Sequence, residues 1–311
     1  MEGNNQSMPV EFDMIGFSSH PELQPLFFTI FLVIYIAALL GNIAISTIIT
    51  TDSRLHTPMY FFLINLSILD ICCTTAAIPQ ILQIIQSRKK TMSYSECIAQ
   101  MCLFSAVLGS ETILFTVMAY DRYVAICHPL HYTTIMSRTT CILLAVAAWL
   151  LGGVNSTVHT ALIPRLKFCQ HNIIDHFFCE LPSVLKAACS DTYINNVAVI
   201  IADVFLGMVC FSLTVISYTY IISTILKIRS AEKKKKAFST CASHITVVTL
   251  FYGGVIYTYV RPASKNVLEA DKVISTFYVI ASPVLNPVIY SLRNKEVINA
   301  LKKLLERKLY P

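Results

Sequence analysis

Charge is what this sequence has least of. Asp, Glu, Lys and Arg make up 14% of its 311 residues, where a soluble globular domain carries about 25%. Hydrophobic residues make up 55% and mean hydropathy is +0.62. A water-soluble chain of this length needs more polar surface than that, which excludes an ordinary cytosolic enzyme. The same composition excludes disorder. No Lys or Arg precedes Arg54. No segment shows the strict alternation of a membrane barrel strand, about 10 residues long, so helices are expected instead. Residues 1–25 lack the basic start and apolar core of a cleavable signal peptide, and the first apolar run is expected to serve as the insertion signal. The two halves of the chain show no repeat, which argues against a transporter built from repeats. The apolar runs contain no nucleophile–base pair and no metal-ligand spacing, which argues against a membrane enzyme.

What the chain does have is seven long apolar runs: Leu26–Ile49, Met59–Ile85, Cys97–Ile126, Thr140–Ala161, Asn195–Leu226, Ala237–Val260 and Val273–Leu292. A helix needs about 20 mostly apolar residues to cross a bilayer core, and the longer runs require tilt. The expected fold is an all-α membrane protein, a seven-helix bundle over residues 26–292. Residues 1–25 form an extracellular tail and residues 293–311 a cytoplasmic tail. In that tail Val297, Ile298, Leu301, Leu304 and Leu305 recur at helical spacing opposite Lys302, Lys303 and Arg307. This reads as an amphipathic helix lying on the membrane.

The net charge of +6 has a topological origin. Basic residues concentrate on the side that begins at Arg54, so that side is cytoplasmic and the N-terminus lies outside. The inner segments hold 15 basic residues against 5 acids, and the outer ones 9 against 10. The excess is a membrane-orientation signal, and no nucleic-acid partner is expected. The inner loop Lys227–Lys236 is the most basic stretch, suited to anionic lipid and to a docking partner. Three acids, Asp70, Glu111 and Asp203, fall inside spans, where charge is costly and usually functional.

Eleven cysteines divide by side. Cys97, Cys169, Cys179 and Cys189 fall outside, where disulfides form, and four cysteines allow three pairings. The segment from Ile163 to Thr192 holds three of them, so tying it down would form a lid over the outer end of the bundle. The other seven are expected to be free. His176, Cys179 and Glu180 lie close together as metal-ligand types, but Cys179 in a disulfide would offer no thiolate. Asn5-Gln6-Ser7 is a glycosylation sequon on the outer tail. Asn155-Ser156-Thr157 and Asn65-Leu66-Ser67 match the pattern inside spans.

Five long motifs sit on these spans in order. Leu55-His56-Thr57-Pro58-Met59-Tyr60 opens the second, with Leu66-Ser67 and Asp70 following. Met118-Ala119-Tyr120-Asp121-Arg122-Tyr123-Val124-Ala125-Ile126-Cys127 closes the third. Ser217-Tyr218 lies in the fifth. Lys236-Ala237-Phe238-Ser239-Thr240-Cys241-Ala242-Ser243-His244 opens the sixth. Pro283-Val284-Leu285-Asn286-Pro287-Val288-Ile289-Tyr290-Ser291-Leu292-Arg293-Asn294 closes the seventh. Together they resemble the olfactory receptors, a branch of the rhodopsin-like G-protein-coupled receptors. Ala242 and Gly254 are small departures from the family pattern and bear on basal activity.

The resemblance implies a non-enzymatic odorant receptor of the plasma membrane, in the cilia of olfactory neurons, that raises cAMP through a stimulatory G protein. It implies disulfides Cys97–Cys179 and Cys169–Cys189. It assigns switching and G-protein coupling to Asp121, Arg122, Tyr123, Tyr218, His244, Asn286, Pro287 and Tyr290. It also places Asp70 and Glu111 on adjacent helices, with Asn42 and Asn286 nearby. Two close carboxylates cannot both stay ionised in a low-dielectric site without a cation, so a proton or a sodium ion is expected there. No other cofactor is expected. A small, lipophilic, mostly neutral odorant would bind in the outer half of the bundle. The expected contacts are Phe104, Ser105, Leu108 and Gly109 in the third span and Ala202, Asp203 and Leu206 in the fifth. Tyr252, Val255, Ile256 and Tyr259 follow in the sixth, and Thr276 and Val279 in the seventh. Asp203 is expected to influence ligand choice.

Overall fold

The computed structural model describes residues 11–16, 21–168, 172–260, 282–290 and 297–300, with the backbone alone at 21, 233, 236, 240 and 255–260. Long helices dominate: α1 (Gln24–Thr51), α2 (Pro58–Gln86), α3 (Tyr94–Cys127), a short α4 (Tyr132–Ile135) and α5 (Arg138–Leu162). After a short α6 (Leu181–Ala187) comes one continuous rod. It is built of α7 (Tyr193–Ala198), a wider π-helical stretch (Val199–Val204) and α8 (Phe205–Lys227). Helix α9 spans Ala231–Val260, and residues 282–290 and 297–300 are also helical. Among the described residues, five helices are long and apolar enough to cross a membrane. They coincide with the first five apolar runs.

The helix starts follow local chemistry. Ser93 caps α3 in a reciprocal box with Glu96, and Ser137 accepts the Thr140 amide at the start of α5. These bonds satisfy N–H groups that a helix start leaves unpaired. Helix α9 starts six residues before the apolar run at Ala237. The basic stretch Lys233–Lys236 is therefore helix, and the link between α8 and α9 shrinks to residues 228–230. Ala, Glu and Lys are good helix formers, and Lys234 Nζ donates to the Leu226 carbonyl at 3.3 Å, closing the end of α8. Charge made this stretch look like loop, and propensity made it helix.

Helix α3 is the hub, packing on α2, α5 and α8. Its seam with α5 uses small residues. A Cβ on Gly152 would meet Ser110 Oγ, and would sit 2.6 Å from the Ala106 carbonyl oxygen and 2.7 Å from the Ser110 amide. A Cβ on Gly109 would lie 3.2 Å from Gly152 Cα. The two backbones cross with no room for a methyl group between them, as small-residue seams in membranes allow.

A three-stranded sheet covers one end of the bundle, in the order β2 (Thr91–Ser93), β1 (Glu11–Met14), β3 (Ile173–Ile174). Strand β1 runs antiparallel to β2, with Phe12 opposite Met92, and parallel to β3, with Met14 opposite Ile174. Phe12 and Met14 are buried, and Phe12 packs on the rings of Tyr94 and Phe168. The N-terminal segment, the start of α3 and the segment between α5 and α7 therefore lie at the same end.

Candidate functional site

The disulfide Cys97–Cys179 is present and ties the start of α3 to the capping segment. Cys189 is also disulfide-bonded; Cys169, its expected partner, lies outside the described residues, as does Asn5. The seven other cysteines are free. Gln100, which sequence reasoning passed over, reinforces the link. Its side-chain oxygen accepts from the Cys179 amide at 2.6 Å, and its nitrogen donates to the Ala76 carbonyl at 2.8 Å. Ala76 adjoins Thr75, whose carbonyl loses its helical donor to Pro79. Phe178, fully buried beside this bridge, meets Phe104 edge to face at 5.4 Å. The cap thus reaches down onto the first residue expected to touch ligand. His176 Nε2 lies 3.6 Å from Glu180 Oε1. Among the described residues no group of three metal-ligand types converges.

Among the other expected ligand contacts, Ser105, Leu108, Ala202, Asp203 and Leu206 are half-buried. Tyr252 is buried against Phe211 and Phe251, with its hydroxyl near Thr116 of α3 and Thr214 of α8. Gly109 faces α5 and serves the close crossing described above. Val255, Ile256 and Tyr259 lie on α9 with their side chains outside the described residues, and Thr276 and Val279 lie outside them altogether.

Asp203 lies in the π-helical stretch with two partners on α5. Asn155 Nδ2 donates to its Oδ1 at 2.7 Å, and His159 Nε2 lies 3.1 Å from the same oxygen. Neither partner was legible as functional. The available signal was a polar pair four residues apart in an apolar span, on one helical face.

The mid-bundle polar cluster forms around a proline. Pro287 has no N–H, so the Pro283 carbonyl loses its helical donor. Asn42 of α1 supplies the missing bond, donating to Pro283 O at 2.9 Å and to Ala38 O at 3.0 Å. Gly41 makes room for this contact: a Cβ there would sit 3.1 Å from the Pro287 ring. One helical position before Pro287, Asn286 Nδ2 donates to both oxygens of Asp70 at 3.1 Å. Glu111 is buried, within electrostatic reach of Asp70, and its Oε1 has no hydrogen-bond partner among the described residues. A buried carboxyl oxygen left this way needs a proton or a cation.

Near the C-terminal end of α3, Arg122 Nε lies 3.5 Å from Asp121 Oδ2. Tyr132 of α4 donates to Asp121 Oδ1 at 2.8 Å. Burial and the adjacent carboxylate push the Tyr132 phenol up from its ordinary range, so it stays a donor. Tyr123 bonds His128 at 3.0 Å. Tyr218 of α8 bonds His244 Nδ1 of α9 at 2.5 Å with the rings stacked, joining the two helices. Tyr290 is buried, and its hydroxyl has no hydrogen-bond partner among the described residues.

The sequence model of the family described as "Olfactory receptor" matches residues 31–308. The chain belongs to the olfactory receptor family. The human olfactory receptor 13G1 is 50% identical over 299 residues, covering 96% of this chain and 97% of that protein. The human olfactory receptor 13A1 is 48% identical over 301 residues, covering 97% and 92%. The mouse olfactory receptor 5AR1 is 45% identical over 308 residues, covering 99% of each. This olfactory receptor is accordingly a multi-pass membrane protein of the G-protein-coupled class, a sensory receptor and not an enzyme. The motifs on which the sequence resemblance rests lie within the matched length.

Proposed function

We propose that this olfactory receptor crosses the plasma membrane seven times with its N-terminus outside. It binds a small lipophilic odorant between the outer halves of its helices and activates a stimulatory, olfactory-type G protein, raising cAMP. The absence of basic residues before Arg54 supports the orientation. So does the β1 strand, which shares one end of the bundle with the Cys97–Cys179 disulfide. The amphipathic C-terminal helix would rest on the inner leaflet, and the olfactory cilium is the expected site of action. Phe104, Ser105, Leu108, Ala202, Asp203, Leu206 and Tyr252 are the proposed ligand contacts among the described side chains.

The observation that carries the coupling reading is the inner lock. Arg122 is held by Asp121, itself held by Tyr132, while Tyr218 and His244 clasp α8 to α9. Moving α9 away from both α8 and α3 would break the Tyr218–His244 bond and leave Arg122 accessible to a G-protein helix. An Arg122→Ala receptor should keep its surface expression and lose ligand-evoked cAMP. Normal cAMP output would refute the assignment.

Asp70 and Glu111 would hold a sodium ion in the resting state, with Asn286 orienting Asp70. Collapse of this cluster would accompany activation. Agonist potency should then fall as sodium is raised, and Asp70→Asn should remove that dependence. Potency indifferent to sodium in the unmodified receptor would leave a purely hydrogen-bonded network.

A further inference from the structure

Asp203 is anchored on one oxygen and free on the other. Oδ1 accepts from Asn155 and is 3.1 Å from His159 Nε2. Oδ2 has no partner among the described residues, and the side chain keeps 24% of its surface open while His159 keeps 2%. A carboxylate accepts and does not donate, and Nε2 beside it is the donor. Two donors on one oxygen fix the plane of the group and aim the second oxygen.

The cluster also lies at the level of the proposed ligand contacts. Asn155 Nδ2 is 3.9 Å from where a Gly109 Cβ would sit. One position further along α5, Ser156 donates to the Cys102 carbonyl of α3. Asp203 therefore sits where α3, α5 and the π-helical stretch meet, beside the turn that carries Ser105, Leu108 and Gly109. The wider π turn offers a reason for the sequence position: such turns re-aim a side chain within an otherwise regular helix and frequently mark functional sites.

We propose that Asp203, positioned by Asn155 and His159, is the polarity filter of the ligand site. It selects molecules that donate a hydroxyl hydrogen, alcohols and phenols, over methyl ethers of the same shape. This rests on the ligand reading above and sharpens it to a chemical class. An ether offers oxygen lone pairs to an acceptor-only carboxylate and leaves Oδ2 unpaired in an apolar site. Sites built to bond a hydroxyl discriminate strongly against analogues lacking it.

The test uses the full-length receptor purified into lipid nanodiscs. The probes are straight-chain alcohols of five to ten carbons and benzylic alcohols and phenols, each paired with its methyl ether. Binding is read as ligand-induced thermal stabilisation, and signalling separately as cAMP in cells. The expected result is that the best alcohol or phenol stabilises at about tenfold lower concentration than its ether. Asp203→Asn should shrink that gap to within about threefold. His159→Phe should shrink it similarly by freeing Asp203 to turn away. If no hydroxyl compound outperforms its ether, the proposal is overturned. Asp203→Asn weakening alcohols and ethers equally would also overturn it, because the cluster would then only brace α5 against the π turn. Stabilisation by alcohols without any cAMP response would leave the filter standing and sink the signalling reading instead.

Discussion

At the scale of single residues, a polar side chain completes a bond that a proline leaves open. That residue is Asn42. Its amide takes the place of the N–H that Pro287 lacks, on the carbonyl of Pro283, while Gly41 beside it admits the proline ring. An Asn42→Ala change would strand a buried carbonyl, and such a loss costs about 1–3 kcal/mol. The expected outcome is a lower melting temperature in nanodiscs and poorer surface delivery, with α1 loosened from segment 282–290. Asn42→Asp should fare no better, since a carboxylate has no hydrogen to donate. A melting temperature unchanged in Asn42→Ala would show that the carbonyl finds another donor. In the sequence, the family resemblance placed Asn42 near Asp70, Glu111 and Asn286 without naming what it bonds. Its partner was invisible there because the bond spans 241 positions.

At the scale of elements, the first five apolar runs matched helices to within a few residues, because span length and hydrophobicity are local properties. What periodicity could not show was which face meets which neighbour. Gly109 read as a ligand contact from its depth in the third span, yet it faces Gly152 across the α3–α5 seam. Asp203 read as an isolated acid because its partners are on another helix. The Lys233–Lys236 stretch read as loop because charge outweighed propensity there. The seam itself supports a prediction. A methyl group on Gly152 would push into Ser110 and the Ala106 carbonyl, which are largely backbone and cannot swing aside. Overpacking of this kind costs about 1–3 kcal/mol. Gly152→Ala should therefore lower thermal stability and surface expression together, whereas Gly153→Ala, with nothing within 4 Å of its added carbon, should do neither. Equal behaviour of the two variants would mean that the helices do not cross where the glycines place them.

At the scale of the whole molecule, the capping segment is tied to the bundle twice. The Cys97–Cys179 disulfide closes a loop across 82 positions, a constraint worth about 4.5 kcal/mol in the chain-entropy view. Strand β1 supplies the second tie, with Phe12 buried between Tyr94 and Phe168 and Gly16 pressed against His176 and Phe177. Cys179 adjoins Phe178 in sequence and Gly16 meets His176, which packs on Phe178, and Phe178 in turn bears on Phe104. If the two ties hold one unit, cutting either releases much of what the other was holding. Phe12→Ala and Cys179→Ser should each destabilise the receptor and raise the ligand concentration needed for a response, and the double variant should lose less than the sum of the two. Contacting groups in one network show interaction energies of about 0.5–3 kcal/mol in such a cycle. Losses that add to within about 0.5 kcal/mol would mean instead that strand and disulfide act on separate parts of the cap. Access to the bundle would then be governed by the disulfide-bonded segment alone, and the N-terminal strand would contribute packing without controlling ligand entry.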